Sequence, residues 1–292
     1  MCDGFRVQPV GKCLVYVWEQ KTVESPIVNR PTMKLNFIFT FLLGAAALIS
    51  QAETKVVAHR GFWTAPGSAQ NTCTSFAKAD SIGCFGSEID VWLTADNQLL
   101  VNHDRKFQGY EMEFTPTETL RTLRLNNGEQ IPTFDEYLAC VRRHPGPRLV
   151  LEMKSLSDYK REDMEAQMIF DKLQQYGLTD RTDIIVFSLN AAMAFKKLYP
   201  SGMKIYYLDG DLSPKKVKKL GLAGIDYSVK VMKKHPEWVK EAHDLGLEVN
   251  VWTVNTPEDM KYFRELGVDY ITTDHPDKAL ELYGQKKSNS KK

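Results

Sequence analysis

Short apolar runs recur along the chain, separated by longer stretches whose apolar positions repeat at helical spacing. The runs predict strands at 55–59, 87–91, 148–153, 183–187, 204–208, 224–227, 248–253 and 269–272. The stretches between them predict helices over 71–82, 133–143, 158–176, 191–198, 214–220, 236–245, 257–266 and 277–282. Asn71, Thr133, Asp158, Thr256 and Asp277 stand where N-caps belong, and Gly83, Gly177, Gly221, Gly246 and Gly267 follow as C-terminal stops. Regular alternation of this kind requires parallel strands joined by right-handed crossovers.

One further apolar run, 98–103, follows strand 87–91 through a turn at 94–97 that is too short for a parallel crossover. It must return antiparallel, as the second arm of a hairpin, and its far end brings His103 back beside Asp90. Setting it aside leaves eight strand–helix units in about 240 residues, the size of one (β/α)₈ barrel. The fold class is therefore α/β, a barrel of the TIM type. Residues 105–130 are polar with scattered aromatics and read as a small insertion over the barrel mouth, after the second strand.

The N-terminus stands apart from this pattern. Met33 and Lys34 precede an apolar run of about 15 residues and the small-x-small end Ser50, Gln51, Ala52, the parts of a secretory signal. The run is shorter than the roughly 20 residues that span a bilayer. The reading is a cleaved signal at 33–52, with no stable membrane anchor afterwards and an exported protein, periplasmic or secreted. Residues 1–32 would precede that signal, where no folded element belongs, and read as a mis-called or disordered extension. The barrel then occupies 53–284, and 285–292 form a polar tail. A formal net charge of +1 gives no polyanion-binding surface, so no nucleic-acid partner is expected. The number of copies that assemble is not written in these patterns. Cys73 and Cys84 bracket a helix on the order of 16 Å long and cannot bridge. Between free buried thiols and a Cys73–Cys140 pair across neighbouring helices, the reading favours free thiols.

In such barrels the C-terminal strand ends converge on one site. That gathers His59 and Arg60 from the first strand, Glu88 and Asp90 from the second, and Glu152 and Lys154 from the third; Trp252 and Asp274 end the last two. Glu88 and Asp90 are two apart on a strand and share a face, so both can reach one ion, with Glu152 closing the set. Three carboxylates without a cysteine suit one hard divalent cation, Ca²⁺ or Mg²⁺. Arg60 and Lys154 would add cationic donors for a phosphate. His59 and His103 fit a base and an acid, with His103 assigned to the leaving alcohol. Taken singly, each element has a structural reading: a turn pair, a surface strand, a salt bridge, or, for Trp252, core packing instead of a substrate-stacking wall. Their arrival at one rim is what points to metal-assisted phosphodiester chemistry.

At this point the chain resembles the glycerophosphodiester phosphodiesterase family. The resemblance runs over about residues 55 to 280. It is carried by His59, Arg60 and Gly61; Asn71 and Thr72; Glu88, Ile89 and Asp90; His103 and Asp104; Ile131, Pro132 and Thr133; and Leu151 to Lys154. The runs 251–255 and 267–274 complete it. It implies hydrolysis of a small glycerophosphodiester to glycerol 3-phosphate and an alcohol, metal binding by Glu88, Asp90 and Glu152, and acid/base catalysis by His59 and His103. One departure stands out: Ala69, Gln70 and Asn71 stand where family members usually have Pro-Glu-Asn. Competing readings are phospholipase C- or D-like cleavage of intact lipids, which would favour apolar loops at the mouth, and a non-catalytic phosphodiester-binding barrel. The intact histidines and carboxylates argue against the second.

Overall fold

Each apolar run has a partner surface on both faces, the barrel interior on one side and a layer of helices on the other, so continuous apolarity is stable as strand. The structure, a computed structural model, describes residues 53–199 and 202–285 and the strand pair Val7–Val10 and Cys13–Tyr16. That antiparallel pair belongs to a separate unit, Met1–Ile49, in a stretch where the sequence predicts no element. The signal-like segment 33–52 and residues 286–292 lie outside the described residues.

Eight parallel strands form the second unit: β1 (Lys55–Ala58), β2 (Gly86–Leu93), β3 (Arg148–Met153), β4 (Thr182–Val186), β5 (Lys204–Tyr207), β6 (Gly224–Ser228), β7 (Glu248–Trp252) and β8 (Tyr270–Thr273). Each pairs with the next, and β8 pairs with β1 to close the cycle. The helices are α1 (Cys73–Ile82), α2 (Phe134–Arg143), α3 (Tyr159–Tyr176), α4 (Leu189–Leu198), α5 (Pro214–Leu220), α6 (Glu237–Asp244), α7 (Pro257–Leu266) and α8 (Pro276–Tyr283). This is the (β/α)₈ barrel expected from the alternation. Two additional helices are Thr117–Leu120, in the insertion, and Val229–Lys234, which starts at Ser228, whose side chain accepts the Val231 N–H.

The run after β2 returns antiparallel as Leu99–Val101, pairing with Val91–Leu93 where β2 overshoots β1. The Asn102 N–H donates to the Asp90 carbonyl at 3.0 Å, so the hairpin brings His103 to the site as the short turn requires. Two N-caps differ from expectation. Thr72, not Asn71, caps α1 through a reciprocal bond with Ser75, and α8 starts at Pro276, ahead of Asp277. Asn71 is diverted because its backbone is left-handed (φ 59°) and its amide is engaged elsewhere.

Period-two alternation divides the strand residues between two layers. Ile89, Val91, Leu149, Leu151, Ile184, Val186, Ile225 and Val249 pack outward beneath the helices. Val57, Val150, Ile185, Tyr206, Leu208 and Tyr270 fill the interior. Glu88, Asp90, Glu152 and Lys154 share the inward parity, and so they enter the barrel. Asp226 is also inside, 1% exposed, with Oδ1 lacking a hydrogen-bond partner. Burial pushes its carboxyl up to about 7, against a downward pull from Asn250.

Cys73 and Cys140 form a disulfide between α1 and α2, with Cα atoms 5.8 Å apart, and Cys84 is buried outside that crosslink. This corrects the expectation of free thiols. Cys73 opens α1 and Cys140 faces it from the buried side of α2, a juxtaposition fixed by helix packing across the barrel surface and invisible in the spacing.

Two outcomes follow. The crosslink spans a sequence separation of 67 residues, and loop-closure entropy for that length predicts up to about 4 kcal/mol of stabilisation. A Cys73→Ser, Cys140→Ser double variant should therefore unfold at markedly lower denaturant, and an unchanged midpoint would count against the crosslink. For Asp226 the folded pKa lies above the unfolded one. Its contribution is therefore most favourable below about pH 4 and is lost as pH rises through about 7. Asp226→Asn should raise the melting temperature at pH 8 and change it little at pH 4, as read by calorimetry at the two pH values.

Candidate active site

The site begins with a turn that only glycine permits. Gly61 has φ 76°, and a Cβ there would lie 2.3 Å from Ser75 Oγ. Arg60 before it is also left-handed (φ 55°), a costly state for arginine that is held by its surroundings. The turn points the Arg60 N–H at Glu88 Oε2, 2.6 Å away, while Arg60 Nη1 donates to Gln70 Oε1 at 2.8 Å. Gln70, the departure from the family pattern, thus supplies the hydrogen bond a glutamate would give, without its charge. Arg60 Nε is 4.0 Å from Asp90 Oδ2 and makes no hydrogen bond.

Glu88, Asp90 and Glu152 each offer an oxygen, and these atoms lie within 4.8 Å of one another. Register explains the meeting: Asp90 pairs directly with Glu152 across β2 and β3, and Glu88 is one inward step below. The three are 2%, 0% and 8% exposed, so their repulsion is poorly screened. Glu88 is pushed well above the usual carboxylate range by burial, then by Asp90 and Glu152. Glu152 is pushed up to about 8, mainly by burial, with Lys154 pulling down and Asp90 adding to the rise. Asp90 goes the other way. Burial would raise it, but Lys154 Nζ at 2.7 Å, His103 and the Asn71 amide together hold it below the usual range. Lys154 also reaches Glu152 Oε1 at 2.7 Å, and the two carboxylates hold its ammonium above the ordinary value despite burial.

Asn71 grips Asp90 twice, donating from Nδ2 to Oδ2 at 2.8 Å and accepting the Asp90 N–H at 3.1 Å. The sequence reading made it a helix cap first; its position in the structure makes it the residue that orients Asp90.

Both histidines are anchored through Nδ1. His59 Nδ1 lies 2.8 Å from Asp274 Oδ1, and His103 Nδ1 lies 2.8 Å from Asp104 Oδ1. A carboxylate at Nδ1 fixes the proton there in the neutral ring and leaves Nε2 to act. Burial is the largest influence on His103 and draws it below the usual imidazole value, in spite of Asp90. Asp274 is itself fixed by Trp63 Nε1 (3.0 Å) and Asn255 Nδ2 (2.6 Å). Burial opposes its ionisation, yet His59, Asn255 and Trp63 bring it down to about 2. Trp63 escaped the sequence reading, because an indole in a loop carries no signal of its own; Asn255 entered it only as the end of the run 251–255 that carries the family resemblance, with no role assigned.

A cleft of about 500 Å³ unites these groups. His59, Arg60, Glu88, His103, Glu152, Lys154 and Trp252 line it, and Asp90 sits beneath. Trp252 forms a wall there, as expected from the end of β7. Its Nε1 donates to the Asp226 carbonyl at 2.9 Å, and its ring meets Phe187 edge-on. His144, His235 and His243 each pair with a carboxylate away from the cleft. Ser188 caps α4 and bonds Glu162, with no histidine to activate it.

The carboxylate trio suits a hard divalent cation on its own geometry. Oxygens bound to one ion at about 2.4 Å can be no more than about 5 Å apart, and the raised Glu88 and Glu152 signal a deficit of positive charge.

The comparisons agree with this chemistry. Residues 59–278 match the model of the glycerophosphoryl diester phosphodiesterase family, and the chain belongs to that family. A crystal structure of a glycerophosphodiester phosphodiesterase from Parabacteroides distasonis is 41% identical with a TM-score of 0.78, covering 80% of this chain and 98% of that one. A glycerophosphodiester phosphodiesterase from Bacillus altitudinis is 28% identical over 78% of this chain and 98% of its own length. Another from Caldanaerobacter subterraneus is 27% identical over 79% and 98%.

Because Glu152 stands near 8 without an ion, a cation must displace a proton to bind. Calorimetric titration with Ca²⁺ and with Mg²⁺ should give one ion per chain, released protons, and affinity that rises from about pH 6 to about pH 9. Glu152→Gln should weaken binding at least about tenfold and flatten that pH dependence. An affinity independent of both pH and Glu152 would remove the carboxylate from the set.

Proposed function

We propose that this chain hydrolyses glycerophosphodiesters to glycerol 3-phosphate and an alcohol, with one Ca²⁺ or Mg²⁺ held by Glu88, Asp90 and Glu152. The observation that carries the reading is the meeting of two carboxylate-anchored imidazoles and three buried carboxylates in one cleft. When bound, the ion would neutralise charge on the phosphate oxygens. The rest belongs to the side chains. Arg60, whose Nε is free of hydrogen bonds, and Lys154 bind and orient the phosphate. His59 Nε2 takes the proton of the attacking oxygen, from water or from a neighbouring hydroxyl of the glycerol. As the bond from phosphorus to the alcohol oxygen breaks, His103 Nε2 gives that oxygen a proton. Asp274 and Asp104 hold the Nδ1 protons, so Nε2 of neutral His59 is open to accept a proton, while His103 acts from its imidazolium form, protonated on both nitrogens, and gives the Nε2 proton. Trp252 packs against the carbon face of the glycerol.

The Cys73–Cys140 disulfide supports an exported protein, because such crosslinks persist in oxidising compartments. A periplasmic or secreted location agrees with the signal-like run at 33–52.

The purified protein should release glycerol 3-phosphate from glycerophosphodiesters, and chelation should stop it. His59→Ala and His103→Ala should each lower kcat by about 10²–10⁴-fold. Wild-type rates in either variant would defeat its acid/base role, and comparable cleavage of intact phospholipids would favour a lipase reading.

A further inference from the structure

The whole-chain balance of +1 conceals a segregation of charge around the barrel. Residues 190–240 hold eleven lysines against four acids, and the stretch that follows, 241–285, holds ten acids against three cations. Sequence order is angular order in a closed barrel, so the lysines occupy one sector of the outer wall, over β4, β5 and β6. We propose that this sector docks the protein on an anionic phospholipid surface, with the barrel on its side and the cleft open to water beside the lipid. The inference stands apart from the hydrolase reading, because it concerns where the protein sits and not what it cleaves.

Structural needs account for only part of the set. Four lysines are engaged: Lys204 with Glu248, Lys233 with Asp259, Lys240 with Asp244, and Lys196 with the Leu220 carbonyl. Lys197, the four lysines of α5, Lys230 and Lys234 are exposed and, among the described residues, have no hydrogen-bond or ion-pair partner. A cation near a helix C-terminus complements the dipole, which covers Lys197, Lys218, Lys219 and Lys234. Lys215, Lys216 and Lys230 stand in the first turns of their helices, where the dipole disfavours them and no acid offsets them. By contrast α2, α3, α6, α7 and α8 each carry an acid in the first turn. Positive charge is kept where the fold gains nothing from it.

The lysines share one surface. Lys196 joins the end of α4 to the end of α5, and a Cβ on Gly210 would lie 2.8 Å from Val231, which seats helix 229–234 against the loop that opens α5. Lys215, Lys216 and Lys230 lie towards the mouth, and Lys197, Lys219 and Lys234 towards the opposite end, so the charge runs along the wall. Leu189 and Met193 are 39% and 37% exposed and share a face of α4 with Lys197 at successive turns. Exposed apolar groups among lysines suit the boundary between lipid head-groups and acyl chains. The sector has no arginine, the side chain that grips a phosphate with a rigid fork. Its lysines act as point charges, which suits a fluid anionic surface better than one shaped ligand.

Co-sedimentation of the full chain with vesicles tests the docking. At low salt, partitioning should be at least about tenfold stronger into vesicles of equal parts phosphatidylglycerol and phosphatidylcholine than into phosphatidylcholine alone, and the difference should shrink at high salt. Binding through the apolar run at 35–49 would be common to both vesicles. Lys215→Gln, Lys216→Gln and Lys230→Gln together should weaken binding to the anionic vesicles at least about tenfold. A control triple on other faces, Lys160→Gln, Lys261→Gln and Lys278→Gln, should weaken it no more than about twofold. The sector triple should keep its melting temperature and its kcat/KM on soluble glycerophosphodiesters, so that lost binding is not lost fold. Equal partitioning of the wild type into both vesicles overturns the docking, as does equal binding by the sector triple and the wild type, or an equal loss in the control triple. An anionic preference that survives in the sector triple and vanishes when Lys286, Lys287, Lys291 and Lys292 become Gln belongs to the tail and overturns it too. Tighter binding to duplex DNA than to the anionic vesicles at the same salt overturns the lipid as partner.

Discussion

Mutual repulsion among three buried carboxylates is the constraint around which the site is arranged. Bringing Glu88, Asp90 and Glu152 within 4.8 Å of one another, out of water, opposes folding unless other groups compensate. Lys154 bridges two of them, the Arg60 N–H binds the third, and Asn71 holds Asp90 from both sides. The left-handed backbones of Arg60 and Asn71 exist to make those contacts. Even so, two of the three carboxyls stay far above their usual range. The fold therefore presents an electrostatic deficit that a divalent cation can fill.

The barrel tolerates this load because its stability is generated elsewhere. The outward faces of the strands bury a continuous apolar layer against the helices, and at the end of the barrel away from the site Arg148 pairs with Asp183 while Glu248 binds Lys204. The polar, repulsive end is confined to the tips of β1, β2, β3 and β8. That separation is the general division of labour in such barrels, chemistry at the C-terminal rim and stability below it.

Most of this was legible in the sequence, and the reason is periodicity. Strand parity alone puts Glu88, Asp90 and Glu152 on the inward face, and the short turn at 94–97 forces the hairpin that returns His103. What periodicity does not carry was missed. Asn71 and Thr72 are both good caps, and only the left-handed turn decides between them. The Cys73–Cys140 crosslink depends on how two helices lie side by side, which spacing does not encode. Asp226 looks like an ordinary strand residue until the barrel closes around it, and Trp63 and Asn255 matter through Asp274, at the far end of the chain. Local pattern specifies elements and facing; it does not specify long-range partners.

The strand Leu99–Val101 pairs with β2 outside the closed ring of eight, and residues 105–130 hang from it. Nothing in the ring's hydrogen-bond circuit depends on how long that appendage is or what it contains. Its exposed positions are consequently free to drift, while Met112 and Leu120, which enter the core, and Glu113, which accepts from Ser157, stay put with the phosphate-handling machinery. Such a molecule can acquire new tastes in substrate by redecorating a porch, with the house left untouched.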